Sequence, residues 1–199
     1  MEHPTYTEKE SFSIGIVVNA SNLEDIAYYN KDLQAINKLY GDKVSIVLLG
    51  YKPEEDKLNA LDNVEFEYYK PVSIIHYFKY LKDAKIDLLF IPLIQNIYNA
   101  TSESYKKFLE AGINSIPVIA PNIFPYNNGI VVDKQNGFVY GTPEDCKREH
   151  FIPYLKDLLL NIYETDLVNK CGKQAYEDVN TKFDFTKESI DLTSKFFQD

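Results

Sequence analysis

The chain has a single arginine, Arg148, two cysteines and three histidines among 199 residues, and its acids outnumber its bases to give a net charge of -9. That balance disfavours a nucleic-acid partner, because covering phosphates takes a basic face that this composition does not supply. Cys146 and Cys171 stand far apart without paired spacing, which argues against a zinc site or a disulfide framework. His3, His76 and His150 are equally scattered and offer no obvious ligand set for a metal. The longest apolar runs, IGIVV, SIVLL and IDLLFIPLI, are shorter than the ~20 residues that cross a bilayer. The opening MEHPTYTEKESF has no apolar segment of the kind a secretory signal needs, so a cytoplasmic protein is expected. Internal repeats and low-complexity linkers are missing too.

What is present fits one domain: 45% hydrophobic and 14% aromatic residues, enough to bury a core. Residues 1 to 11 read as a flexible lead-in and 12 to 199 as the domain. Ser13–Val18 is a continuous apolar run of the kind that forms a buried parallel strand. Asn22–Tyr40 has helical spacing, with Ile26, Leu33, Ile36 and Leu39 on one face and Gly41 as its stop. Val44–Gly50 reads as a second strand, Pro53–Leu61 as a short helix or turn, and Asn63–Tyr69 as a third strand. Val72–Ala84 reads as a helix and Ile86–Leu93 as a fourth strand. No hairpin dipeptide joins the strands, so the pattern predicts an α/β fold: a single Rossmann-like, doubly wound parallel sheet with helices on both faces. Three amphipathic helices close the chain, over Phe151–Tyr163, Asp166–Val179 and Phe185–Phe197.

Polar chemistry is concentrated between Pro92 and Tyr140. In an open doubly wound sheet, ligands bind beyond the carboxyl ends of the strands, where the strand order reverses. With the order 3-2-1-4-5-6, that crevice lies between Asn19–Glu24 and Leu93–Ser104. Ser102 or Ser104 is expected to cap the next helix, whose free amides and dipole suit a phosphate or diphosphate. A purely structural reading stands beside this one. Glu103 with Lys107, and Lys106 with Glu110, are i,i+4 pairs that stabilise a solvent-facing helix by about 0.2–0.5 kcal/mol each.

The residues of this stretch resemble the donor-binding half of GT-B glycosyltransferases, most nearly the retaining glycosyltransferase family 4. The resemblance rests on P-L-x-x-N-x-Y-N from Pro92 to Asn99, S-x-x-K-x-x-E through Ser104, Lys107 and Glu110, and I-P-V-I-A from Ile116 to Ala120. Pro125-Tyr126 and N-G-F-V from Asn136 to Val139 complete it. It implies a nucleotide-diphosphosugar substrate, linked to UDP or GDP, with no cofactor and no metal. Glu110 would hold the ribose hydroxyls, while Asn99, Ser102, Ser104 and Lys107 would meet the diphosphate and sugar. Phe124 and Tyr126 would lie nearby, and the base near Tyr68, Tyr69 and Pro71. Catalysis in that family positions the donor and stabilises the departing diphosphate rather than using a nucleophile on this domain.

The resemblance also implies a glycan or lipid-linked acceptor and a second, acceptor-binding domain or subunit. The enzyme would thus be incomplete in this chain alone, and would reach the inner face of a membrane through such a partner. Two positions depart from the family pattern. Ser102 stands eight residues before Glu110, where many members carry a sugar-binding glutamate, and no arginine precedes Arg148. The alternative is therefore a non-catalytic GT-B-like binding or assembly module that has lost the donor site.

Overall fold

Strands buried on both faces carry apolar side chains on both, and their alternate residues feed two separate cores. The computed structural model, which describes residues 11–51, 61, 63–102 and 104–183, shows this arrangement. Six strands, β1 (Phe12–Val18), β2 (Val44–Gly50), β3 (Glu67–Tyr69), β4 (Leu88–Phe90), β5 (Val118–Pro121) and β6 (Phe138–Tyr140), form one sheet in the order β3-β2-β1-β4-β5-β6. Every ladder is parallel. The expected lead-in before Ser11, nearly all of the segment over 53–61, and the last helix over 185–197 lie outside the described residues.

The helices are α1 (Leu23–Tyr28), α2 (Asn30–Tyr40), α3 (Ile74–Asp83), α4 (Ile97–Ser102), α5 (Lys106–Gly112), α6 (Phe151–Thr165) and α7 (Leu167–Lys182). Ile14, Ile16, Ile46, Leu48, Leu88 and Phe90 point to one face, where Ile26, Leu33 and Ile36 of α1 and α2 and Phe151 and Leu155 of α6 cover them. Their neighbours Val47, Leu49, Leu89 and Ile91 point to the other, under Leu81 of α3 and Phe108 and Ala111 of α5. α7 serves both cores, with Val168 and Cys171 in the first and Ala175 and Val179 in the second.

Three elements differ from the sequence-based expectation. The helix expected over Asn22–Tyr40 is interrupted at Tyr29, which is 1% exposed. Its ring lies edge-on to Phe90 and Phe151 at 5.2 and 5.8 Å, so burying it turns the chain inward and separates α1 from α2. β4 stops at Phe90 although Ile91–Leu93 remain buried, because Pro92 has no N–H with which to continue the ladder. β3 keeps only the last three residues of the run from Asn63, which itself sits in the left-handed region at φ 59. Gly41 ends α2 as expected, at φ 50.

α7 closes on the turn between α5 and β5 at a glycine. A Cβ built on Gly172 would lie 2.1 Å from the Ser115 carbonyl oxygen and 3.1 Å from Pro117 Cδ. Both neighbours are backbone or ring atoms that cannot swing aside. Gly172→Ala is therefore expected to destabilise the chain by about 3 kcal/mol, the upper end for overpacking, read as a lower urea midpoint.

Candidate functional site

β1 is the strand at which the order reverses: β2 pairs with it on one side and β4 on the other. Just beyond its carboxyl end, Asn19 accepts hydrogen bonds at Oδ1 from the backbone N–H groups of Ser21 and Asn22, each at 3.1 Å. Asn22 Oδ1 in turn accepts from Asn19 N at 2.9 Å, and Asn22 Nδ2 donates to the Val17 carbonyl at 2.9 Å. This reciprocal cap satisfies amides that would otherwise be orphaned at the turn into α1.

The segment after β4 is held just as firmly. Asp25 is 4% exposed, and its Oδ1 accepts from Ile94 N at 2.8 Å and from Asn99 Nδ2 at 2.9 Å. Asn99 Nδ2 also donates to the Ile94 carbonyl at 2.8 Å. Deeper in, Tyr29 donates to the Leu93 carbonyl at 3.3 Å, and its oxygen lies 2.6 Å from the Tyr140 hydroxyl. Burial holds both phenols neutral, well above the usual tyrosine range.

Between these fixed edges lies a cavity of about 290 Å³ lined by Val17, Asn19, Tyr77, Ser104, Lys106, Lys107 and Glu110. Glu110 projects from the middle of α5, and its side chain is only 12% exposed. The Tyr77 hydroxyl, from α3, donates to its Oε2 at 3.1 Å, and Lys106 Nζ lies 3.4 Å from Oε1. Burial first, and then the adjacent Glu110 charge, hold Tyr77 protonated far above the usual tyrosine range, so at neutral pH it is a donor. A carboxylate offers about four lone-pair positions, so two contacts leave acceptor capacity beside the cavity.

Of the residues singled out from sequence, Ser104, Lys107 and Glu110 come together here. Neither serine is a helix cap, contrary to expectation. Ser102 falls at the end of α4, and α5 begins after Tyr105 with no side-chain cap. The cap failed because a separate short helix takes up the residues expected to lead into α5. Asn99, 4% exposed, has both amide hydrogens committed to Asp25 and Ile94, so it shapes the loop rather than lining the cavity. Tyr126 is fully buried and donates to the Ser104 carbonyl at 3.3 Å, which fixes the cavity-lining serine from behind. Phe124 is 47% exposed. Tyr69 lies at the end of β3 and its carbonyl accepts from the Tyr80 hydroxyl at 2.5 Å, while Pro71 is exposed just beyond. Glu103 lies outside the described residues.

Tyr77 is the contact that sequence reasoning missed. A signal for it existed: Tyr77 and Leu81 of α3 share one face with Ala84 at its C-terminal cap, and the first of them falls in the opening turn of a crossover helix, beside the carboxyl edge. The sole arginine is elsewhere. Arg148 Nε is 3.1 Å from Asp32 Oδ2, its Nη1 donates to the Tyr28 carbonyl at 2.8 Å, and it lies over the Tyr28 ring. Burial pushes the Cys146 thiol up and the Cys171 thiol up to about 12, which makes both poor nucleophiles. Among the described residues no group of three or more His, Cys, Asp or Glu could hold a metal, and no helix is long and apolar enough to cross a membrane.

A six-stranded parallel sheet in this order, with its cavity at the β1/β4 reversal, is a Rossmann-like doubly wound fold, and it matches the Rossmann-like half of GT-B structures. No family model and no curated protein matches the sequence. Among solved structures, the chain resembles the C-terminal domain of LpcC, a glycosyl transferase group 1 family protein from Francisella tularensis, with 19% identity, 86% of each chain covered and a TM-score of 0.56. It also resembles Alr3699/HepE of Anabaena in complex with UDP and glucose, with 16% identity over 94% of this chain and 48% of that one and a TM-score of 0.63. For TarM the figures are 15% identity, 96% and 36% coverage, and a TM-score of 0.67. The chain thus spans about half the length of HepE and about a third of TarM, and at these identities the likeness establishes the fold.

Removing the Asn99 amide leaves Asp25 and the Ile94 carbonyl short of a partner in a buried place. Asn99→Ala is expected to cost about 2–3 kcal/mol of stability, measured by chemical denaturation. Loss below about 0.5 kcal/mol would mean that the loop is held by other contacts.

Proposed function

We propose that this chain is the donor-binding half of a glycosyltransferase and holds a nucleotide-diphosphosugar, UDP- or GDP-linked, in the cavity at the β1/β4 reversal. One observation carries the reading: a nearly buried carboxylate, Glu110, faces that cavity between a phenol and two lysines. Such a carboxylate is a strong acceptor for a pair of sugar hydroxyls, and here it takes the ribose. Lys106 and Lys107 line the same cavity and supply positive charge for the diphosphate. α5 has only seven residues, so these side chains matter more than its dipole. Ser104 lies beside them, Phe124 and Tyr126 shape the neighbouring loop, and the base extends toward Tyr69 and Pro71.

Chemistry in this reading is retaining transfer, of the family 4 kind, of a hexosyl group to a glycan or lipid-linked acceptor. The chain contributes position and charge: it fixes the donor and stabilises the departing diphosphate with the positive charge of the two cavity lysines. The acceptor would come from a second domain or subunit. HepE, similar in fold, was crystallised with UDP and glucose, which supports the ligand class without assigning it here.

A second reading, a GT-B-like binding or assembly module without a working donor site, has its own observation. Both Glu110 oxygens already have partners, and Arg148 is committed to Asp32 and Tyr28, away from the cavity.

Thermal denaturation with UDP, GDP and ADP separates the two. A ligand at a hundredfold excess over its Kd adds about 2.7 kcal/mol, a rise of roughly 5–10 °C for a chain of this size. The expected outcome is such a rise with at least one of the three and its loss in Glu110→Ala. No rise with any of them would favour the non-catalytic module.

A further inference from the structure

We propose that Tyr77 is the positioning residue of this cavity, its hydroxyl holding the Glu110 carboxylate so that the unused lone pairs are presented to a ribose. The inference rests on the donor-site reading above. Glu110 has three side-chain torsions, and a flexible acid in a crevice loses binding energy to its own rotamers. Of the two side chains that touch its carboxylate among the described residues, Lys106 is 71% exposed and sits on the same helix, so it can follow the carboxylate anywhere. Tyr77 comes from α3, 33 residues away, and is part-buried against the second core, so the direction it sets for Oε2 is fixed by that packing and not by the rotamers of α5.

The phenol is itself held. Its ring lies 6.5 Å from that of Tyr80, and Tyr80 is pinned in turn by its hydrogen bond to the Tyr69 carbonyl and by its edge-on contact with the Tyr69 ring at 6.1 Å. A continuous line of aromatic side chains thus runs from the end of β3 to Glu110, coupling the place assigned to the base with the place assigned to the ribose. Tyr77 acts through Glu110 and is not a catalytic residue.

Calorimetric titration tests this, with whichever of UDP, GDP and ADP binds and with its 2′,3′-dideoxy counterpart, which has no hydroxyl for Glu110. Tyr77→Phe keeps the ring and removes the donor. The expected result is about tenfold weaker binding of the ribonucleotide with unchanged binding of the dideoxy form. Glu110→Gln should show the same selective loss, and the double variant should bind no worse than Glu110→Gln alone. Equal weakening of both nucleotides would reduce Tyr77 to a general packing residue and overturn the proposal. Unchanged or tighter ribonucleotide binding in Tyr77→Phe would overturn it as well, the second by showing that the hydroxyl blocks the ribose position. If the unaltered chain binds none of the three nucleotides, the donor-site reading itself falls, and this inference with it.

Discussion

Everything at the candidate site depends on β1 being paired on both sides. Its ladder to β2 runs its full length, from Phe12 opposite Val44 to Val18 opposite Gly50, while β4 meets only Ile14 and Gly15. The chain therefore leaves the two partner strands in opposite directions, and neither crossover covers the carboxyl end of β1. A gap at that place follows from the connectivity of any doubly wound sheet. The particular residues decide only how the gap is walled and what it can hold.

Here the walls are made by buried polar groups, each of which has a partner. Asn22 and Asp25 anchor the turn after β1, Asn99 joins Asp25 to the turn after β4, and all three are under 5% exposed. Polar groups are costly to bury unless bonded, so once bonded they select one loop conformation strongly. A similar clamp acts on the loop between β5 and β6. Asn136, 2% exposed, donates to Asp178 of α7 at 2.6 Å and to the Ile130 carbonyl, and accepts from Val132 N. Among the described residues, the polar side chains that line the gap are a carboxylate, two lysines, a phenol, a serine and an asparagine.

The sheet was legible in the sequence because parallel strands buried on both faces leave continuous apolar runs, and such runs at Ser13, Val44 and Ile86 located three of its strands, while the order was assumed from the doubly wound pattern. The element boundaries were less so. The division of α1 from α2 depends on where the Tyr29 side chain finds Phe90, Phe151 and Tyr140, and those residues are 61 to 122 positions further along. Helical periodicity records only which side of Asn22–Tyr40 is apolar. The two serines before α5 have the composition of a cap, yet a separate short helix ends at Ser102 and Tyr105 opens α5. Glu110 and Lys107 were singled out through a motif that resembles one of a known family, whereas Tyr77 belongs to no motif and becomes visible only when the fold brings α3 within hydrogen-bonding reach of Glu110. Asn99 was found by the same motif, but its place in the structure is that of a loop-builder.

The central claim is that the gap beyond β1 is a nucleotide site centred on Glu110. Amide chemical shifts of the isotopically labelled chain, followed as UDP or GDP is added, test it most directly. The account predicts saturable changes confined to Val17–Asn19, Tyr77 and Ser104–Glu110, with the largest near Glu110. Changes centred elsewhere, for instance around Arg148 and Asp32, or no saturable change with either nucleotide, would contradict it.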